Sequence, residues 1–173
     1  MKILKIVFQV MGILLLIPVV AMATLRYENR NADGPSIIFP GGELVSGDLY
    51  TGPEPDWSFT DQVSTVDLQL NNPLSSRLIW ILESEGKIYI TSDYMGTSLG
   101  RLWKHWAVQA VEGDGMAVVR IDGIRYERKL VRITEGPVLE GVVAKKRAKY
   151  RSAITREAIA AGHVWVFELR PRA

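Results

Sequence analysis

The sequence predicts an α+β fold, a small and mainly antiparallel β-barrel of about six strands with two helices, preceded by an N-terminal membrane helix. Three observations predict it. Glu85-Gly86 and Asp122-Gly123 each join two β-rich apolar runs closely enough to make hairpins. A Trp-rich helical segment lies between those hairpins. A continuous apolar run precedes everything else. Sequential antiparallel hairpins exclude a doubly wound parallel sheet, and closing a small barrel removes the exposed edge strands.

Ile6 to Leu25 is apolar except at Gln9, Gly12, Pro18 and Thr24, and it follows Lys2 and Lys5. About 20 apolar residues span a bilayer core, so this length favours an uncleaved anchor over residues 1–25. The small-x-small triplet Ala21-Met22-Ala23 offers the rival reading of a cleaved signal peptide. The slight excess of basic charge before the run places the N-terminus in the cytoplasm and the domain on the extracytoplasmic side. Residues 26–62, with Gly34-Pro35, Pro40-Gly41-Gly42 and Gly52-Pro53-Glu54-Pro55, read as linker and loop. Within them, Trp57 and Phe59 are placed to dock on the domain, and Ser46 to Tyr50 is a candidate short strand.

The barrel domain is expected over residues 63–173. Thr65 to Leu70 alternates at period two and ends at Asn71-Asn72-Pro73, the pattern of a strand and a turn. Leu78 to Glu83 and Lys87 to Thr91 flank the first hairpin turn. Ser98 to Ala110 reads as a helix capped by Thr97 or Ser98 and stopped at Gly113-Asp114-Gly115. Met116 to Ile121 and Ile124 to Ile133 flank Asp122-Gly123. Pro137 opens a second helix that runs with a break to about Ala161, Gly162 closes it, and Val164 to Leu169 is the last strand.

The net charge of +2 comes from the first 30 residues, which hold Lys2, Lys5, Arg26 and Arg30 against Glu28 alone. The rest is about neutral, which gives no case for nucleic acid as a partner. The chain has no cysteine, and His105 and His163 stand apart from any carboxylate cluster, so no metal site is expected. Gly96-Thr97-Ser98-Leu99-Gly100 matches the G-x-S-x-G nucleophile elbow, with Asp114 or Asp122 and then His163 following in hydrolase order. The elbow needs a parallel sheet and the neighbours are hairpins, so the match is set aside.

The same segment supports an anion site. Amides at a helix start attract phosphate, Gly96 and Gly100 allow close approach, and Thr97, Ser98, Arg101, Lys104 and Arg77 would add donors. Trp103 and Trp106 lie three apart on one helical face, beside Leu99 and Leu102, as core or as an aromatic wall for a cofactor. Lys145 to Arg151 is the one dense basic run. It reads as a solvated helix face, or as a contact for anionic headgroups or a cofactor's anionic tail.

The order of elements resembles the flavin- and deazaflavin-binding split β-barrels, the superfamily of pyridoxamine phosphate oxidase and the deazaflavin-dependent nitroreductases. The resemblance covers about residues 60–170. It is carried by Arg77-Leu-Ile-Trp-Ile-Leu, Gly86-Lys-Ile-Tyr-Ile-Thr-Ser92, Leu102-Trp-Lys-His-Trp, Ala117-Val-Val-Arg-Ile-Asp-Gly-Ile-Arg-Tyr126 and Val164-Trp-Val-Phe-Glu-Leu-Arg-Pro171. It implies a bound FMN or deazaflavin, a homodimer, and oxidoreductase chemistry. It also implies a cofactor phosphate held by Arg77, Thr91, Ser92, Ser98, Arg101 and Lys104, with Trp103 in the aromatic wall. Asn71 to Arg77 stands where the nitroreductase branch carries a basic glycine-rich loop. The alternative is a binding or envelope-associated module on the same scaffold without its cofactor.

Overall fold

The computed structural model describes residues 2–172. The chain begins with helix α1 (Lys2–Asn29), none of whose residues is buried. This helix is long and apolar enough to cross a membrane. Then come β1 (Asp48–Leu49), a short 3-10 helix (Trp57–Gln62), β2 (Thr65–Asn71), β3 (Leu74–Trp80), β4 (Leu82–Ser84) and β5 (Lys87–Ser92). Helices α2 (Ser98–Trp103) and α3 (His105–Glu112) separate these from β6 (Met116–Ile121) and β7 (Ile124–Ile133). The chain closes with α4 (Val138–Tyr150), α5 (Arg156–Ala160) and β8 (Trp165–Pro171).

Seven strands pair antiparallel in the order β3-β2-β6-β7-β8-β5-β4, and β1 adds two residues parallel to β7. Strands β3 and β4 occupy opposite ends of this path, yet Ile81 alone separates them in sequence. The sheet therefore curls until its two ends share one run of chain. Both expected hairpin turns form. Glu85 and Gly86 have φ of 54° and 74°, and Asp122 and Gly123 have φ of 48° and 81°, the left-handed pair that a two-residue turn needs to match strand twist.

Six strands and two helices were the expectation, and the structure divides them further. The run expected as one strand from Leu78 starts at Leu74 and breaks at Ile81. There, consecutive residues enter different cores. Ile81 packs inside the curl with Trp57, Leu68, Ile90, Trp106, Val119 and Phe167. Leu82 packs on the outer face with Tyr89, Leu139, Val142, Ile159 and Val166. A regular strand sends neighbours to opposite faces of one sheet, and the bend turns those faces toward the two cores. The expected helix over residues 98–110 divides at Lys104, and the second helix divides between Tyr150 and Arg156.

The bend is held from α4. Lys149 Nζ donates to the Ile81 carbonyl at 2.9 Å and to the Thr60 carbonyl at 2.7 Å. The Tyr150 hydroxyl accepts the Ile81 amide at 3.2 Å and lies 2.8 Å from the Ile81 carbonyl and 2.7 Å from that of Ser64. Burial pushes this phenol up to about 12, so it keeps its proton. Lys145 meets Asp61 and Glu83, Lys146 is fully buried against Asp93 at 2.6 Å, and Arg147 Nε donates to the Ile154 carbonyl. The basic run expected as a solvated face or a headgroup contact is thus largely spent on internal partners. The reason is positional: this face of α4 meets unpaired carbonyls and carboxylates at the sheet's seam.

Residues 32–62 lie against the sheet. Gly41 bridges Ser76, Leu44 and Trp57 are buried, and Glu54 pairs with Arg128 over the Trp57 ring. Asp33 receives the amides of Val45 and Ser46 and the Arg120 guanidinium, which also grips Asp67. The Ser46 hydroxyl above all, then the Val45 amide and Arg120, hold the Asp33 carboxyl far below its ordinary value against the opposing cost of burial.

Two outcomes are expected. Tyr150→Phe strips the Ile81 bend of a partner and should lower unfolding stability by about 1–3 kcal/mol, measured by thermal or denaturant unfolding in detergent. Because Asp33 is depressed in the folded state, its tie is fully present above pH about 4 and lost as pH falls below that. The protection of residues 32–46 against hydrogen exchange, relative to the intrinsic rate at each pH, should therefore fall on acidification, and Asp33→Asn should show that loosening already at neutral pH.

Candidate functional site

A groove of about 1010 Å³ runs along β3, bounded by α1, the loop after it, the end of β5, and helices α2 and α3. Arg77, Leu78, Ile79 and Trp80 supply one wall, and Thr91, Asp93, Tyr94, Leu102, Trp103, Lys104, His105 and Trp106 supply the other. Arg26, Ile37, Ile38 and Phe39 form its rim.

Arg77 is the unusual group. Its side chain projects from β3 beside Trp106, with the guanidinium carbon 5.7 Å from the ring centroid. Its one side-chain hydrogen bond goes to the Ser75 hydroxyl at 2.8 Å, and Nε is buried with no partner. No carboxylate among the described residues pairs with it. Burial without a countercharge pulls its pKa down to about 10, the direction desolvation demands of a cation. A buried donor set with free valence inside a groove is a site prepared for an anion, since leaving such donors unmet is costly.

Of the residues expected at the site, Arg77, Thr91, Trp103 and Lys104 meet in this groove. Ser92, Ser98 and Arg101 do not line it. Ser92 is buried, and its hydroxyl donates to the Met95 sulfur. Ser98 and Arg101 are exposed on α2. At the helix start, where the anion site was expected, internal packing engages several of the groups. Thr97 caps α2, accepting the Gly100 amide at 3.0 Å. Gly96 is small because the His163 ring lies against it, and Gly100 because the Tyr94 carbonyl does. Both glycines serve close internal packing. His163 is exposed and joins two loops through its backbone, its carbonyl receiving the Met95 amide and its amide donating to the Ala158 carbonyl.

Trp103 and Trp106 were expected on one face, as core or as wall. The break at Lys104 separates them: Trp106 is 4% exposed in the inner core, while Trp103 is 75% exposed and stacks on Tyr94 at 6.4 Å. Trp80 stacks flat on Tyr150 at 4.5 Å, so the groove wall rests on the residue that holds the Ile81 bend.

Sequence reasoning missed Asp93, His105, Gln109 and Trp80 as lining residues. Asp93 directly follows the strand that carries Thr91, which was a usable signal. It also borders a second cavity of about 410 Å³ with Thr97, Ser152 and His163. Burial pulls Lys146 down, and Asp93 opposes that pull.

The fold and groove define an α+β protein with a curled antiparallel half-barrel sheet and an apolar N-terminal helix. No family model matches the chain, and no curated protein matches it. Among solved structures it is similar to the conserved hypothetical protein Rv2991 from Mycobacterium tuberculosis. That likeness has a TM-score of 0.48 and 15% identity over 66% of this chain and 77% of the other.

The split between the two tryptophans gives a direct expectation. Trp106→Ala should cost about 3–5 kcal/mol of unfolding free energy, as for a core aromatic, whereas Trp103→Ala should fall within about 0.5 kcal/mol of the parent. Thermal unfolding of the two variants side by side checks this.

Proposed function

We propose that the groove binds a flavin-type cofactor, FMN or a deazaflavin, and that the chain is a membrane-anchored oxidoreductase whose domain lies on the extracytoplasmic side. The observation that supports this reading is Arg77, a half-buried guanidinium with free donors and no carboxylate, at the wall of an aromatic groove. The groove is of the size that takes a small-molecule cofactor, roughly 300–1,000 Å³ being usual. The residues present fit the group. Arg77, Lys104 and the Thr91 hydroxyl would hold its phosphate, Arg by its two-pronged geometry and Lys as a point charge. Trp80, Tyr94 and Trp103 would cover the ring and keep water from one side. A flavin supplies hydride or electron transfer when bound, and the protein's part is to anchor it, orient it and dry its surroundings. Sidedness rests on the slight excess of Lys2, Lys5 and the amino terminus ahead of the apolar run over Arg26 and Arg30 after it.

The test is a titration of the full-length protein in detergent with FMN and with a deazaflavin, followed by cofactor fluorescence and absorbance. Saturable binding is expected, and Arg77→Ala should weaken it by about tenfold or more, the worth of a charged hydrogen bond. Arg101→Ala should leave affinity unchanged, since that side chain lies outside the groove. If neither cofactor binds, the scaffold acts as a non-catalytic module and the oxidoreductase reading fails.

A further inference from the structure

The groove has an apolar rim, of which the cofactor reading uses Trp103 alone. Leu99, Leu102 and Trp103 on α2 are 76%, 72% and 75% exposed, and Ile37 and Ile38 across the groove are 91% and 74% exposed. Large apolar side chains gathered at this exposure on a folded domain mark a surface that something covers. The rim is also cationic, with Arg26 and Lys104 lining the groove and Arg101 on the same short helix.

What covers it follows from α1. The apolar run ends at Leu25, and Arg26, in the next position, already lines the groove beside Ile37, Ile38, Leu102 and Trp103. The chain after α1 has no slack. Ala32 donates to the Asn29 carbonyl and Gly42 to the Ala32 carbonyl, and Asp33 is tied to Arg120 at 2.8 Å. At about 1.5 Å per residue, the four helical residues after Leu25 rise roughly 6 Å. A headgroup layer is roughly 5–8 Å deep on each side of the hydrocarbon. If α1 spans, its root and the groove rim sit inside that layer. Trp, Leu and Ile interleaved with Arg and Lys is the composition that layer selects, with rings and aliphatic chains inward and cations toward phosphate.

We propose that Leu99, Leu102 and Trp103 with Ile37 and Ile38 dock into the headgroup layer of the bilayer that α1 spans, so that the groove opens at the membrane surface. The partner is the lipid surface itself, with anionic phospholipid headgroups meeting Arg26 and Arg101. The inference rests on α1 being a membrane anchor and is independent of what the groove binds.

The absence of native cysteine makes the test direct. Full-length protein is reconstituted in vesicles of phosphatidylcholine and phosphatidylglycerol, with one nitroxide label at each of four substitutions: Leu14→Cys in α1, Leu102→Cys, Ile38→Cys, and Glu135→Cys in the β7–α4 turn. Collisions with lipid-soluble oxygen and with a water-soluble nickel chelate report depth. The expected result is an oxygen-to-nickel ratio highest at residue 14, several-fold above that of residue 135 at residues 102 and 38, and lowest at residue 135. If residue 14 is deep but residues 102 and 38 match residue 135, the anchor stands and the docking surface is refuted. Low collision with both reagents at 102 and 38, with spin–spin broadening, would mean a second copy covers the face and overturns the proposal. A water-exposed residue 14 removes the anchor and this inference together. Because Leu102 and Ile38 are exposed, labelling them leaves the core intact.

Discussion

The structure depends on a single bend, the break at Ile81 between β3 and β4. One run of chain there leaves one end of the hydrogen-bonded path and joins the other, so the curl of the sheet exists only while that bend is kept. A break in a strand leaves backbone groups that the ladder would otherwise satisfy, and buried amides and carbonyls must find partners. Here Lys149 and Tyr150 meet them from α4. The bend also sends Ile81 and Leu82 into separate cores, so both hydrophobic clusters pass through adjacent residues.

The groove inherits its shape from the same bend. Trp80, one residue before it, lies flat on Tyr150 and forms part of the groove wall, and Arg77 projects from the same strand. Lys146, one turn before Tyr150, is buried against Asp93 at the groove's edge. The residues that close the sheet and those that line the cavity are therefore neighbours on β3 and α4. A change to the closure would reach the cavity through a stacked ring and one ion pair.

Legibility from sequence varied with the range of the interaction. Glu85-Gly86 and Asp122-Gly123 were readable because a two-residue turn needs left-handed φ at both positions, a local demand. The Trp103/Trp106 pair misled because helical spacing assumes an unbroken helix, and the turn at Lys104 rotates one ring outward. Thr91 was nominated by the family resemblance, and Arg77 by that resemblance and by its donors beside the helix start, whereas Ser92, one residue from Thr91, turns to the opposite face and is lost to the core. Gly96 and Gly100 looked like room for a ligand, and the space is filled by His163 and the Tyr94 carbonyl, neither of which local pattern could bring there.

The sequence by itself determined the apolar helix, the two hairpin turns and the α+β class, because these follow from periodicity, turn chemistry and the length of an apolar run. Only the tertiary structure decided that Lys145, Lys149 and Tyr150 would brace the seam of the sheet rather than face solvent. It alone left Arg77 without a carboxylate, and it alone set α2's apolar side chains beside the root of α1. Each of these depends on which groups from distant parts of the chain arrive at the same place. The cost of leaving a buried charge or amide unmatched is settled there, by partners a linear pattern does not contain.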